Sequence, residues 1–238
     1  MSPVARHLKA SQAVREQYLR IFVMECPDPI DAMQGRSEGP VISAIGRLIG
    51  HEVLTFLVRS KREFKETCKY IGSIDADHDS NDQTDRQLCL HISTHGNSNG
   101  LGIGADFLEW RQLATAIEPF LSGKMRHEGK RIVVLSACDA DQKQLSDSIG
   151  AIVRQNTGLT APEYLFCTSG EVEWQNAAVG WTLFYHLLPN VDLDQKKNVQ
   201  AVLNKIRDVG VGRFVYFRWV GRSKRYVRYA GTERTPRK

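Results

Sequence analysis

The sequence has few features that would tie it to a membrane or to an extracellular setting. Its 238 residues contain no apolar stretch long enough to cross a bilayer, and residues 1–17 lack the apolar centre of a secretory signal. The five cysteines are odd in number, widely spaced and free of any Cys-x-x-Cys pair, which argues against a disulfide framework or a zinc ribbon. We therefore expect a cytoplasmic protein in which each cysteine is either core filler or a nucleophile.

The net charge of +5 does not extend over the whole chain. Residues 221–238 carry seven Lys or Arg and one Glu, a balance of +6, so the remainder is close to neutral at −1. A nucleic-acid-binding face should lie on the folded body and carry aromatic residues among its cations. The pattern favours a solvated basic tail and weighs against nucleic acid as a partner, with binding through the tail left open.

The order of strand and helix patterns predicts one α/β domain. Apolar runs of strand length alternate with stretches of helical spacing, so most strands are expected to pair in parallel. The predicted strands are 18–25, 52–58, 88–92, 132–135, 164–167, 213–220 and 225–230, and the predicted helices are 41–49, 61–71, 110–121, 142–155, 175–188 and 195–209. We predict a three-layer α/β/α fold with a mostly parallel central sheet.

The domain is expected to span residues 18–230, between an N-terminal extension at 1–17 and a basic tail at 231–238. Residues 26–40, with three prolines and two glycines, are predicted to form a loop, as is the polar segment 73–86. The last two predicted strands flank a turn-like segment and are expected to form a hairpin or a sheet edge.

Two strands end in reactive side chains. The apolar run 88–92 is followed by Ser-Thr-His95-Gly96, and the run 132–135 is followed by Ser-Ala-Cys138-Asp. Ligands of open parallel sheets bind outside the carboxyl ends of the strands, where His95 and Cys138 would meet. A cysteine needs a base or an electropositive setting to act as a thiolate, and an imidazole can serve as that base and then as an acid. We predict a His95–Cys138 catalytic pair with the backbone N–H groups of Gly96 and Cys138 as an oxyanion hole.

These residues resemble a known group of proteins. Ala137-Cys138 follows His95 by 43 positions, which is similar to the caspase pattern, and the two strand endings resemble more closely the CHAT family of caspase-like cysteine peptidases. Three further stretches resemble that family, so that the likeness runs from about residue 88 to residue 188: LGIGADFLEWRQL (101–113), TSGEVEWQN (168–176) and FYHL (184–187).

The resemblance implies a caspase-like (clan CD) fold, a His–Cys dyad, no cofactor and cleavage of a protein substrate by a thiol protease. It also implies a regulatory protein partner and a role in bacterial antiviral defence or signalling. Ser136 and Asp139 beside Ala137-Cys138 depart from the caspases themselves, so caspase specificity for aspartate is not expected.

Substrate preference can be predicted from the loops that follow the first and fifth strands. In caspase-like enzymes these loops build the pocket for the residue before the cleaved bond, called P1. Here they are acidic, which favours cleavage after Arg or Lys, because a cation compensates a carboxylate that loses solvent. The substrate-binding candidates are Glu25, Asp28 and Asp31 on one side and Glu171, Glu173, Trp174 and Gln175 on the other. The alternative is that these carboxylates are solvated loop residues.

Three alternatives remain open at this stage. Cys138 could be a buried structural thiol, the interpretation that suits Cys26, Cys68, Cys89 and Cys167 better. Cys89, His91 and His95 could bind a metal, but no fourth ligand has a standard spacing, so no metal site is predicted. The whole chain could also be a catalytically silent caspase-like scaffold that binds a protein partner.

Overall fold

In the part of the chain that the structure describes, ten strands form two sheets, and the larger sheet runs through the middle. The computed structural model describes residues 18–74, 87–123 and 129–230. The strands are β1 (Leu19–Glu25), β2 (Glu52–Leu57), β3 (Gln87–Ser93), β4 (Gly96–Asn97), β5 (Gly100–Ile103), β6 (Asp106–Glu109), β7 (Arg131–Ser136), β8 (Tyr164–Ser169), β9 (Arg213–Val220) and β10 (Arg225–Ala230). The larger sheet has the order β10-β9-β8-β7-β3-β1-β2, and β4, β5 and β6 form a small antiparallel sheet.

Helices cover both faces of the large sheet. They are α1 (Pro29–Met33), α2 (Gly39–Leu48), α3 (Lys61–Ile74), α4 (Trp110–Ala116), α5 (Glu118–Leu121), α6 (Lys143–Gln155), α7 (Trp174–Leu187) and α8 (Lys196–Val209). One buried cluster joins the sheet to α3, α4, α5 and α6, and a second joins it to α2, α7 and α8. The predicted three-layer α/β/α fold is therefore confirmed.

The central strands are apolar on both sides because both of their faces are covered. Along β1, Phe22 and Met24 belong to one buried cluster, whereas Leu19, Ile21 and Val23 belong to the other. The strands β2, β1, β3, β7 and β8 pair in parallel, and only β9 and β10 are antiparallel to their neighbours. The mostly parallel sheet is thus confirmed, and the parallel strands all end at the same edge.

Two predicted elements differ from the structure. The segment 26–40, predicted to be a loop, contains the short helix α1, which begins after Asp28 because the Asp28 side chain accepts the Asp31 N–H. The helix predicted over 110–121 is split into α4 and α5 near Pro119, whose ring cannot donate a backbone hydrogen bond. The extension 1–17, the tail 231–238 and all but the start of the loop 73–86 lie outside the described residues.

The last two predicted strands form a hairpin at one edge of the large sheet. In the structure β9 lies between β8 and β10 and pairs antiparallel with both. The edge on this side is formed by β10. None of the helices in the described part of the chain is long and apolar enough to span a membrane.

Candidate active site

The register of the sheet brings His95 and Cys138 to the same place. Ser93 on β3 is paired with Ser136 on β7, and the Thr94 N–H continues the pairing by donating to the Ser136 carbonyl at 3.0 Å. His95 and Cys138 therefore each lie two residues beyond one rung of the sheet. Both side chains line one cavity of about 160 Å³.

The Cys138 sulfur lies beside the loop that follows β8. Sγ lies 3.5 Å from the Val172 backbone nitrogen, whose N–H it accepts, and 3.6 Å from the Val172 carbonyl oxygen. The side chain is partly exposed and makes no disulfide. A backbone N–H directed at the sulfur is the kind of donor that stabilises a thiolate.

The backbone at Cys138 leaves the strand in a sharp turn. Asp139 has a φ of +52°, a left-handed conformation that Asp adopts more readily than most residues, and its N–H donates to the Gly170 carbonyl at 3.0 Å. Two residues on, the Asp141 carboxylate accepts hydrogen bonds from Ser169, at 2.9 Å, and from Arg228 of β10. These contacts hold the loop after the nucleophile candidate against the end of β8 and against β10.

Gly96 is required by the approach of the two strand ends. A Cβ at this position would lie 2.5 Å from the Cys138 carbonyl oxygen and 2.9 Å from the Ala137 Cβ. No side chain fits there, so glycine keeps the backbone of residue 96 against that of Cys138. The predicted oxyanion residues are therefore adjacent.

The His95 ring is about half exposed and is held on two sides. Its Nε2 lies 2.5 Å from the Asp31 Oδ2, and the Asp28 Oδ2 is farther away, at 3.8 Å. The indole of Trp174 meets the imidazole edge-on, with ring centroids 5.8 Å apart. The sequence suggested Asp31 only as part of an acidic wall and gave no signal that it contacts His95.

A buried carboxylate that sequence reasoning missed lies in the wall of the same cavity. Glu38, only 1% exposed, precedes α2 and accepts hydrogen bonds from Ser136 Oγ at 2.6 Å and from His91 Nε2 at 3.0 Å. The other nitrogen of His91 lies 2.9 Å from the Tyr185 hydroxyl. The one sequence signal was a glutamate just before the Gly-Pro pair that opens a helix.

The predicted substrate-binding residues lie in different places in the structure. Trp174 lines the cavity with His95 and Cys138, whereas Glu173 lines a wider neighbouring groove that also reaches Cys138. Gln175 is exposed, and its amide donates to Glu173. The pKa of Asp28 is lowered chiefly because its carboxylate accepts the Asp31 backbone N–H.

Glu25 has a different position from the one predicted. It is 6% exposed, and its carboxylate accepts the backbone N–H groups of Glu38 and Gly39 at 2.5 and 2.7 Å and the Ser37 hydroxyl at 2.6 Å. These are the free N–H groups at the start of α2, where a negative charge is stabilised. Glu25 thus anchors the start of α2, and both of its carboxylate oxygens accept hydrogen bonds from the protein itself.

The other four cysteines differ from Cys138 in their burial. Burial raises the pKa of Cys68 and of Cys89 to about 12, and it raises the pKa of Cys26 and of Cys167 still further. All four pack in the two apolar clusters. Cys138 alone among the five cysteines is partly exposed.

The metal-ligand set considered from the sequence is not assembled. Both ring nitrogens of His91 have protein partners, and Cys89 lies 3.5 Å from the Tyr185 hydroxyl. Within the described residues, the one group of three side chains close enough to hold a metal ion is Asp28, Asp31 and His95, with ligand atoms within 4.8 Å of one another. Arg36 already neutralises one oxygen of Asp31 at 3.0 Å.

No protein-family model matches the chain, and no curated protein matches it by sequence. Its structure is similar to the crystal structure of caspase-1 from Spodoptera frugiperda, with a TM-score of 0.50 and 12% identity. The match covers 80% of this chain and 76% of that one. Together with the α/β layers described above, this similarity shows that the chain has a caspase-like fold.

Proposed function

We propose that the protein is a cysteine endopeptidase that uses Cys138 as nucleophile and His95 as acid and base. The observation that carries the proposal is the meeting of these two side chains in one cavity, two residues beyond paired positions of adjacent strands. The caspase-like fold supports the same chemistry, because strand ends are where such folds keep their reactive groups.

The reaction takes place in two steps. His95 takes the thiol proton, the Cys138 sulfur attacks the scissile carbonyl carbon, and the C–N bond breaks as His95 passes that proton to the leaving amine. Water then attacks the resulting thioester, with His95 as base, and releases the new carboxylate and the free thiol. The backbone N–H groups of Gly96 and Cys138 stabilise the oxyanion in both steps.

The cavity wall supports a basic P1 residue, through Glu38 rather than through Glu25. A carboxylate has about four acceptor sites, and Ser136 and His91 use two of those on Glu38. The remaining sites can accept the head group of a Lys or Arg, with Trp174 and Ala177 beside its aliphatic part. We place Asp28, Glu173 and Gln175 in the outer part of the substrate site, where solvent screens the charges of Asp28 and Glu173 and Gln175 is neutral.

The experiment is a set of fluorogenic peptides that differ only in carrying Arg, Lys, Leu or Asp at P1. Wild type is expected to cleave the basic peptides at least about tenfold faster than the Leu peptide, the value of one charge-assisted hydrogen bond. Cys138→Ala should abolish cleavage, whereas Cys68→Ala, a buried cysteine in the core, should retain it. Cleavage mainly after Leu or Asp would overturn the basic preference.

A matched pair of variants identifies the recognising carboxylate. Glu38→Gln should reduce the preference for Arg and Lys, because it removes the buried charge and keeps the shape of the side chain. Glu173→Gln, which changes an exposed glutamate in the groove, should leave the preference nearly unchanged. The reverse result would assign P1 recognition to Glu173.

The role in the cell rests on resemblance to CHAT proteins. We place the activity in the cytoplasm, in a bacterial antiviral defence or signalling system, with a protein substrate and a regulatory protein partner. The competing proposal is a silent scaffold that binds a partner. It would be favoured if Cys138→Ala and wild type bound the same partner and neither cleaved any peptide.

A further inference from the structure

A carboxylate that contacts the His95 ring has no role in the reaction as proposed above. The Asp31 Oδ2 lies 2.5 Å from Nε2 of His95, close enough for a hydrogen bond. It comes from α1, the short helix in the loop after β1. The resemblance to caspase-like peptidases implies only a dyad, so this contact is additional.

Asp31 is held in place by contacts independent of His95. The residue is 1% exposed, its other carboxylate oxygen accepts from Arg36 Nη1 at 3.0 Å, and its backbone N–H donates to Asp28 at 2.8 Å. The Arg36 backbone N–H also donates to the Asp31 carbonyl at 3.0 Å. A buried carboxylate held by these contacts keeps its orientation.

Asp28 does not provide the same contact. Its Oδ2 lies 3.8 Å from His95 Nε2, its side chain is 38% exposed, and its Oδ1 caps α1. Trp174 restrains the ring edge-on but offers no acceptor for the ring N–H. Among the described residues that contact His95, Asp31 is the one placed to accept a hydrogen bond from Nε2–H.

We propose that Asp31 is a positioning residue, so that the site is a Cys138–His95–Asp31 triad; this rests on the function proposed above. By accepting from Nε2–H, Asp31 fixes the neutral ring as one tautomer, with the lone pair on Nδ1. Nδ1 then exchanges the proton with the Cys138 sulfur. When the imidazolium forms, the Asp31 carboxylate stabilises the positive charge of the ring without taking up the proton.

The first test reads the ring directly and requires no substrate. Long-range ¹H–¹⁵N correlation spectra are recorded on the full chain labelled with ¹⁵N-histidine, and His95 is assigned by the signal lost in His95→Ala. Neutral His95 should be the Nε2–H tautomer in wild type and a mixture of tautomers in Asp31→Ala. A mixture in wild type, or no change in Asp31→Ala, would overturn the proposal.

The second test measures turnover in Asp31→Asn, which keeps the size of the side chain and removes its charge. We expect kcat to fall by at least about a hundredfold with KM within about twofold, because wrong ring orientation affects the chemical step and not peptide binding. Asp147→Asn, the same change at an exposed position on α6, should leave both constants unchanged. A loss confined to KM would make Asp31 a substrate contact instead.

Alkylation of Cys138 by iodoacetamide separates this inference from the proposed function. The rate of alkylation should fall at least about tenfold in both variants, because His95→Ala loses the base and Asp31→Ala loses its orientation. If wild type cleaves no peptide but shows this dependence, the peptidase proposal fails and the triad stands. If wild type cleaves peptides and Asp31→Ala matches it in tautomer, alkylation and kcat, the triad fails and the peptidase stands.

Discussion

Selective reactivity of one thiol follows from the contrast between Cys138 and the four buried cysteines. At pH 8 a thiol with a pKa of about 12, as at Cys68 and Cys89, is ionised in only about one molecule in ten thousand. An ordinary cysteine with a pKa of about 8.5 is about one-quarter ionised at that pH. Compared with an ordinary thiol, Cys68 and Cys89 should therefore react with a thiol reagent about a thousandfold or more slowly on account of ionisation alone. Their burial slows the reaction further.

The assay is titration of the native chain with Ellman's reagent, followed by titration in denaturant. We expect one thiol per chain to react fast in the native state and all five of the cysteines to react after unfolding. Cys138→Ala should lose the fast phase, and Cys68→Ala should keep it. Two or more fast native thiols, or a fast phase that survives in Cys138→Ala, would refute the reasoning.

Three further predictions concern the loops around the site. Gly96→Ala should lower the free energy of unfolding by about 1–3 kcal/mol and lower kcat by at least about tenfold, because a Cβ there would overlap the Cys138 carbonyl. Thermal unfolding measures the first effect and peptide turnover the second, and unchanged values would contradict the close approach of the two strand ends. Asp139→Gly should be neutral or stabilising by up to about 1 kcal/mol, and Asp139→Ala destabilising by a similar amount, since φ is positive; denaturant unfolding of the pair tests this, and equal stabilities would contradict it. Glu25→Gln should destabilise the protein by about 1–3 kcal/mol and leave the P1 preference unchanged, because Glu25 anchors α2. A changed preference among the fluorogenic peptides would show that Glu25 contributes to the substrate pocket.

The central strands could be predicted from the sequence because each is marked by a run of mainly apolar residues. Runs such as 88–92 and 132–135 are apolar throughout, as expected of parallel strands buried on both faces, and β3 and β7 extend them by one residue at each end. The placement of His95 and Cys138 followed, since parallel strands end at one edge. The pairing of β3 with β7, which puts the two residues side by side, is a long-range contact that the structure supplies.

The acidic residues could not be sorted in the same way. Glu25, Asp31 and Glu38 lie within fourteen residues of one another in one segment, and no periodicity distinguishes a helix anchor, a histidine partner and a cavity wall. Their roles depend on partners far along the chain: Glu38 contacts His91 and Ser136, and Asp31 contacts His95. Only the fold brings these pairs together.

The most direct test of the central claim is mass spectrometry of the wild-type chain after reaction with a peptidyl acyloxymethyl ketone that carries Arg at P1. We predict one adduct per chain, on the tryptic peptide that contains Cys138, and no adduct in Cys138→Ala. Loss of the adduct in the presence of a non-cleavable peptide with Arg at P1 would show that the label reacts in the substrate site. An adduct on another cysteine, or none at any concentration that labels a known cysteine peptidase, would contradict the account.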